Sequence, residues 1–85
     1  MEYVIVAFRS RTHTVNFYNL LQNGRIKSEI VNTPKEAGVG CGLSVKIGVE
    51  NLMRVKNLVR ITSLNSFAGI SSVKILAGKI MVRSI

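Results

Sequence analysis

The sequence predicts an α+β fold, a ferredoxin-like two-layer sandwich with the element order β-α-β-β-α-β. Three observations carry the prediction. The run YVIVAF, Tyr3 to Phe8, is continuously apolar and reads as a central strand. Thr14, Phe17, Tyr18 and Leu21 fall at i, i+3, i+4 and i+7, the core-facing stripe of a helix. Leu43-Ser-Val-Lys-Ile47 alternates as a strand after a long glycine-bearing connection.

The elements follow in order. Ser10 or Thr12 supplies the cap of the first helix, and Asn23-Gly24 closes it with a pair that tolerates the left-handed conformation. Ile26 to Val31 is a short second strand. Gly48 breaks the third strand, and Glu50 to about Ile61 forms a second helix. Leu52, Val55 and Val59 point inward from it, with Glu50 and Arg54 as a favourable i, i+4 pair outside. Asn65 to Ser72 reads as loop. Val73 to Val82 is strand-like with a bend or turn at Ala77-Gly78, so the chain closes on a strand or a hairpin. All 85 residues form one domain.

In this topology the first two strands are parallel and the third lies antiparallel between them. Cys41 then comes near Phe8 to His13 and the N-terminus of the first helix. Along the first strand Tyr3, Ile5 and Ala7 face one side, and Val4, Val6 and Phe8 the other. Two helices cover one face only. The opposite face is expected to be apolar, which predicts a homodimer, a partner, or a C-terminal segment folded back over it.

Composition narrows the function. At 47% hydrophobic and 19% charged the chain has enough apolar material to fold. Twelve Lys/Arg against four Glu give a net charge of +8, which implies a negative partner (nucleic acid, phosphate, or an acidic protein surface), although the charges are spread along the chain and read equally well as a solvated surface of mixed use. No apolar run approaches the ~20 residues of a membrane span. The opening MEYVIVAF carries Glu2 and lacks a basic n-region, so it reads as a strand and not a signal peptide. One cysteine forms no internal disulfide and points to a reducing, cytoplasmic setting. One Cys and one His do not assemble a zinc site, and no cofactor is indicated.

The chemistry concentrates in TPKEAGVGCGLSVK, Thr33 to Lys46, which holds the only proline and the only cysteine. A structural cysteine belongs in an apolar run, whereas Cys41 stands among Gly38, Gly40 and Gly42, open to a reaction partner. The thiolate is the nucleophile, and positive charge or a helix N-terminus favours it. Arg9, Arg11, Lys35 and Lys46 are the candidate charges. The glycines let backbone N–H groups turn toward a sulfur anion, and Pro34 stiffens the loop entrance. GVGCGL is not a dinucleotide fingerprint, since Leu43 holds the third glycine position and a strand follows. GLSVK lacks the ending of a phosphate-binding P-loop. His13 beside Cys41 suggests a cysteine hydrolase, but no carboxylate orients the His; surface decoration is the plainer reading.

Phe8-Arg9-Ser10, Thr33-Pro34-Lys35-Glu36 and Cys41-Gly42-Leu43-Ser44-Val45-Lys46 together resemble the selenium/sulfur carrier protein-like family of small bacterial proteins. The resemblance covers roughly residues 3 to 62 and adds Ser10 and Glu36 to the candidate site. It implies that Cys41 accepts sulfur or selenium from a donor such as a cysteine desulfurase. The atom is held as a persulfide or selenylsulfide and passed to an acceptor enzyme, which makes the protein a carrier more than a turnover enzyme. The absence of a resolving cysteine suits that role. The last twenty residues are longer and more basic than the short closing strand the family implies. Two other classes stay open. A basic nucleic-acid-binding module is the runner-up, against which stand a missing RNP1 pattern and only five aromatics. A small-ligand-binding regulatory domain is the third.

Overall fold

A computed structural model describes the whole chain, Met1 to Ile85. The strands are β1 (Glu2–Phe8), β2 (Ser28–Asn32), β3 (Leu43–Ile47), β4 (Phe67–Leu76) and β5 (Lys79–Ser84). The helices are α1 (Arg11–Asn23) and α2 (Leu52–Thr62), and single 3-10 turns lie at Lys35–Ala37 and Val49–Asn51. The fold is α+β: one five-stranded sheet of order β2-β3-β1-β4-β5, antiparallel at every pairing. β3 lies antiparallel between β1 and β2, as the sequence predicts.

Both helices pack on one face. Val4, Val6 and Phe8 of β1 join Val45 and Ile47 of β3, Phe17 and Leu21 of α1, and Val55 of α2 in a single buried cluster. Phe8 and Phe17 meet with ring centroids 5.3 Å apart, a tilted aromatic pair at its centre. β1 is buried from Val4 to Phe8 because it has strands on both edges and cover on both faces.

The C-terminal segment departs from the sequence reading. Residues 67–72 are strand, not loop: β4 pairs with β1 along its whole length, from Glu2↔Lys74 to Phe8↔Phe67. Ala68, Gly69, Ser71 and Ser72 read as loop by composition, but a central apolar neighbour decides strand identity more than intrinsic propensity does. The register slips at Ala7/Phe8, a bulge that bends β4 where Gly69 takes φ +152°. Ala77 and Gly78 both have positive φ, 50° and 78°, which is the tight two-residue turn of a hairpin. β5 is therefore an added fifth strand.

The centre of the second face is closed within the chain, while Tyr3 and Ile80 at its margin stay partly exposed. Ile5, Ala7 and Val73, the residues that would form its exposed apolar patch, are at most 1% exposed. The Lys35–Ala37 turn leaves the β2 edge and comes into contact with β5 at the opposite edge. Gly40 lies against the Ala7 side chain. Part of the glycine loop thus lies over this face within one chain, where a homodimer, a partner or a folded-back C-terminal segment is expected.

Two local expectations also change. Glu50 belongs to the 3-10 turn before α2, so it is not one helical turn from Arg54, and the only ion pair is Lys46–Glu29 at 3.5 Å. At the end of α1, Gly24 has φ −85° and Arg25 takes the left-handed conformation instead, φ 60°. Arg25 N–H donates to the Gln22 carbonyl and Ile26 N–H to the Leu21 carbonyl, a Schellman closure that buries Ile26. The glycine stands one residue too early to take the strained position. Arg25→Gly should therefore stabilise the protein by about 1 kcal/mol, read as a higher urea midpoint at unchanged slope.

Candidate functional site

The site forms where β1 ends, α1 begins and the glycine loop returns to the sheet. Ser10 caps α1: its hydroxyl accepts from the His13 N–H at 3.2 Å, with its own backbone extended. The Ser10 carbonyl accepts from both the N–H and the hydroxyl of Thr14, at 3.0 and 3.1 Å. Thr14 is fully buried and its hydroxyl also lies 3.7 Å from Cys41 Sγ, so its single proton serves the Ser10 carbonyl or turns to the sulfur when that is a thiolate. Cys41 itself is exposed.

Backbone geometry pins the thiol there. The Cys41 N–H donates to the Phe8 carbonyl at 3.0 Å, and the Thr33 N–H donates to the Gly42 carbonyl at 2.9 Å. The Thr33 and Ser44 hydroxyls, 2.6 Å apart, tie the loop's entrance to its exit. Pro34 precedes the 3-10 turn with φ −58°, and its carbonyl accepts from the Ala37 N–H. Gly38, Gly40 and Gly42 all have positive φ, at 63°, 86° and 95°. Gly40 is the most constrained, since a Cβ there would stand 3.0 Å from the Phe8 carbonyl oxygen and 3.3 Å from the Ala7 Cβ.

The Cys41 pKa is lowered. Partial burial acts against this and pushes the thiol up, but backbone hydrogen bonding at Leu43, the Thr14 hydroxyl, the residue's own backbone and the Arg11 charge together outweigh it. Every group in that set except Arg11 is neutral, so the thiolate is favoured mainly by short-range dipoles, first the backbone at Leu43 where β3 begins and then the Thr14 hydroxyl of α1. The thiol form has a different use for the same corner, donating to the Leu43 carbonyl at 3.8 Å.

Of the residues singled out from sequence, Cys41, Ser10, Arg11 and the three glycines come together. Arg9 is directed elsewhere: its N–H donates to the Ser66 carbonyl at 2.7 Å and its guanidinium reaches the Phe67 carbonyl at 3.5 Å. His13 Nδ1 pairs with the Ser66 hydroxyl at 2.5 Å, an arrangement that clamps α1 to the start of β4. Lys46 bonds Glu29 and sits 4.6 Å over the Tyr3 ring, midway along the sheet. Lys35 and Glu36 ride on the exposed turn that leans toward β5. Thr14 is the member that sequence reasoning passed over as core. A hydroxyl at the first position of an otherwise apolar stripe is the signal that marks it. No group of three or more His, Cys, Asp or Glu is placed to hold a metal ion.

These features define a class: a small α+β domain that presents one activated thiol on a pinned glycine loop. The family model described as "Putative Se/S carrier protein-like" matches residues 2–65, and the chain belongs to that family. No curated protein and no solved structure matches it. The match ends where β4 begins, so β4 and β5 lie outside it. No helix is long and apolar enough to cross a membrane.

Two outcomes are expected. The pH midpoint of Cys41 alkylation by iodoacetamide should lie below the ordinary thiol range, and Thr14→Val should move it upward; an unmoved midpoint removes Thr14 from the site. Gly40→Ala should cost clearly more than Gly38→Ala, whose open surroundings leave only the backbone penalty of about 1 kcal/mol. Parallel urea titrations of the two variants check the order.

Proposed function

We propose that the protein carries sulfur or selenium on Cys41. The observation that carries the reading is the placement of the chain's only thiol: exposed, favoured as thiolate, and held beside the N-terminal turn of α1 by the Cys41–Phe8 backbone bond. The Cys41 thiolate attacks the outer sulfur of a persulfide on a donor protein such as a cysteine desulfurase. A new S–S bond forms at Cys41, the donor's S–S bond breaks, and the donor cysteine leaves as thiolate. The exchange is balanced and needs no external oxidant. Transfer to an acceptor enzyme repeats it in the other direction.

Each local feature supports a holding role. No second cysteine is present to attack the loaded sulfur and release it as sulfide. The helix N-terminus and the Thr14 hydroxyl suit a terminal sulfur anion as they suit the thiolate. His13, occupied by Ser66, is not positioned as a base for Cys41, which favours transfer over hydrolytic turnover. We read the arrangement as ferredoxin-like, supported by the order β4-β1-β3-β2 and by helices after β1 and β3, with β5 as an edge addition. The lone thiol fits a cytoplasmic setting.

Incubation with a cysteine desulfurase and cysteine, followed by intact-protein mass spectrometry, should show a gain of one sulfur that is absent from Cys41→Ser. Selenocysteine in place of cysteine tests the second cargo. An adduct that persists in Cys41→Ser, or none on the native protein, sinks the reading.

A further inference from the structure

The sequence after α2 starts has a one-sided charge. From Asn51 to Ile85 it contains Arg54, Lys56, Arg60, Lys74, Lys79 and Arg83, and no acidic residue at all. None of the six makes an ion pair. Arg60 instead donates to the neutral Asn57 side chain at 2.9 Å.

Part of this basic region borders an apolar groove. The helical layer ends at α2, whereas the sheet continues through β4 to β5. The register puts Met81 beside Lys74 and Arg83 beside Ser72, on the face that Glu2 and Val4 define as the helix side. Ile85 follows on that side, its N–H donating to the Ile70 carbonyl at 2.9 Å. Met81 and Ile85 are 49% and 47% exposed, so no helix of this chain covers them. Between α2 and this uncovered strip lies an open groove of about 720 Å³. Val59, Leu64, Phe67, Ile70 and Ile85 supply its apolar lining, with Ile70 the deeply buried floor, and Lys56 and Arg60 line the α2 side. Met53, 70% exposed, stands at the α2 side as well and can adapt its shape to an occupant.

We propose that this groove receives an acidic amphipathic helix of a partner protein, which completes the helical layer over β4 and β5. Apolar positions of such a helix, spaced i, i+3/i+4 and i+7, would fill the floor. Its acidic flank would meet Lys56 and Arg60, which lack counter-charges within the chain. A second copy of this chain fits poorly: it carries the same +8 charge, and its α1 and α2 contain no acidic residue. The groove is built half from α2, inside the family match, and half from β4 and β5, outside it. It reaches the end of the sheet that carries Cys41, because Phe67 lines the groove and packs edge-on against Phe8 at 5.9 Å. The proposal stands on this surface alone and does not depend on sulfur transfer.

The probe is a fluorescein-labelled synthetic helix with Leu on one face and Glu on the remainder, titrated into the full chain and compared with a Lys-for-Glu counterpart. The acidic peptide should bind and the basic one should not. Amide shifts in a nitrogen-proton spectrum should concentrate at Met53, Lys56, Phe67 and Ile85. Lys56→Glu combined with Arg60→Glu should weaken binding at least about tenfold. Lys27→Glu, next to β2, makes the same kind of charge reversal and should leave the affinity unchanged. Five results overturn the proposal: no binding of the acidic peptide, equal binding of both peptides, shifts spread over the basic surface, an equal loss in Lys27→Glu, or displacement of the peptide by a single-stranded oligonucleotide. Concentration-dependent self-association that occupies the same four residues overturns it in favour of a second copy.

Discussion

The hydrogen bond from the Cys41 N–H to the Phe8 carbonyl is the constraint on which the site depends. Phe8 ends the buried central strand, so the bond ties an otherwise exposed loop to the most rigid element of the molecule. It forms only because Gly40 allows the loop backbone to lie against β1; a side chain there would meet the Phe8 carbonyl and the Ala7 Cβ. From that one approach two consequences follow. Cys41 is set over the first turn of α1, within reach of Thr14. The rest of the loop is thrown across the second face of the sheet, where it shields Ile5 and Ala7. Placement of the thiol and closure of the core are therefore the same structural event.

This dual use explains why a loop rich in glycine is not slack. Positive φ at three glycines gives the chain its path, and four polar ties hold it: Cys41 to Phe8, Thr33 to Gly42, Thr33 to Ser44, and Ala37 to Pro34. An ordered backbone around an exposed sulfur leaves less entropy to be lost when another molecule docks against it. The electrostatic contribution is of the same kind. Thiolate stabilisation comes mainly from short dipoles that are already in place, with the single charge of Arg11 behind them. Dipoles at contact distance are less weakened by salt than charges held further away in solvent. Thus a protein with net charge +8 activates its cysteine largely without using that charge.

Periodicity made the first two-thirds of the chain legible. YVIVAF, the Thr14-Phe17-Tyr18-Leu21 stripe and LSVKI each carry a local pattern that matches the element they form. The thiol's neighbourhood followed from topology, since strands one and two must run parallel for the loop to reach α1. What could not be read was anything decided by a non-local partner. Residues 67–72 look like a loop until β1 lies beside them. Arg9 and His13 look like companions for Cys41 until Ser66 and Phe67 arrive from the far end of the chain to take their hydrogen bonds. The cap residue shows the same limit on a smaller scale: Asn23-Gly24 announced the end of α1, but the depth at which Ile26 is buried set which residue turned left-handed.

The added strand gives the molecule two surfaces of different character at one end. Near Cys41 the exposed groups are glycines and backbone, shaped for close approach and poor in anchoring contacts. Beside α2 the surface is apolar and basic, a separate patch that meets the thiol's end of the sheet at Phe67. Affinity invested at the thiol itself would prolong any complex formed there, so contacts placed on a separate patch keep the approach to the loop reversible. A partner held through α2, β4 and β5, as proposed above, would leave the glycine loop unobstructed. β4 and β5, which supply part of that patch, lie outside the family match, whereas α2 and the glycine loop lie inside it.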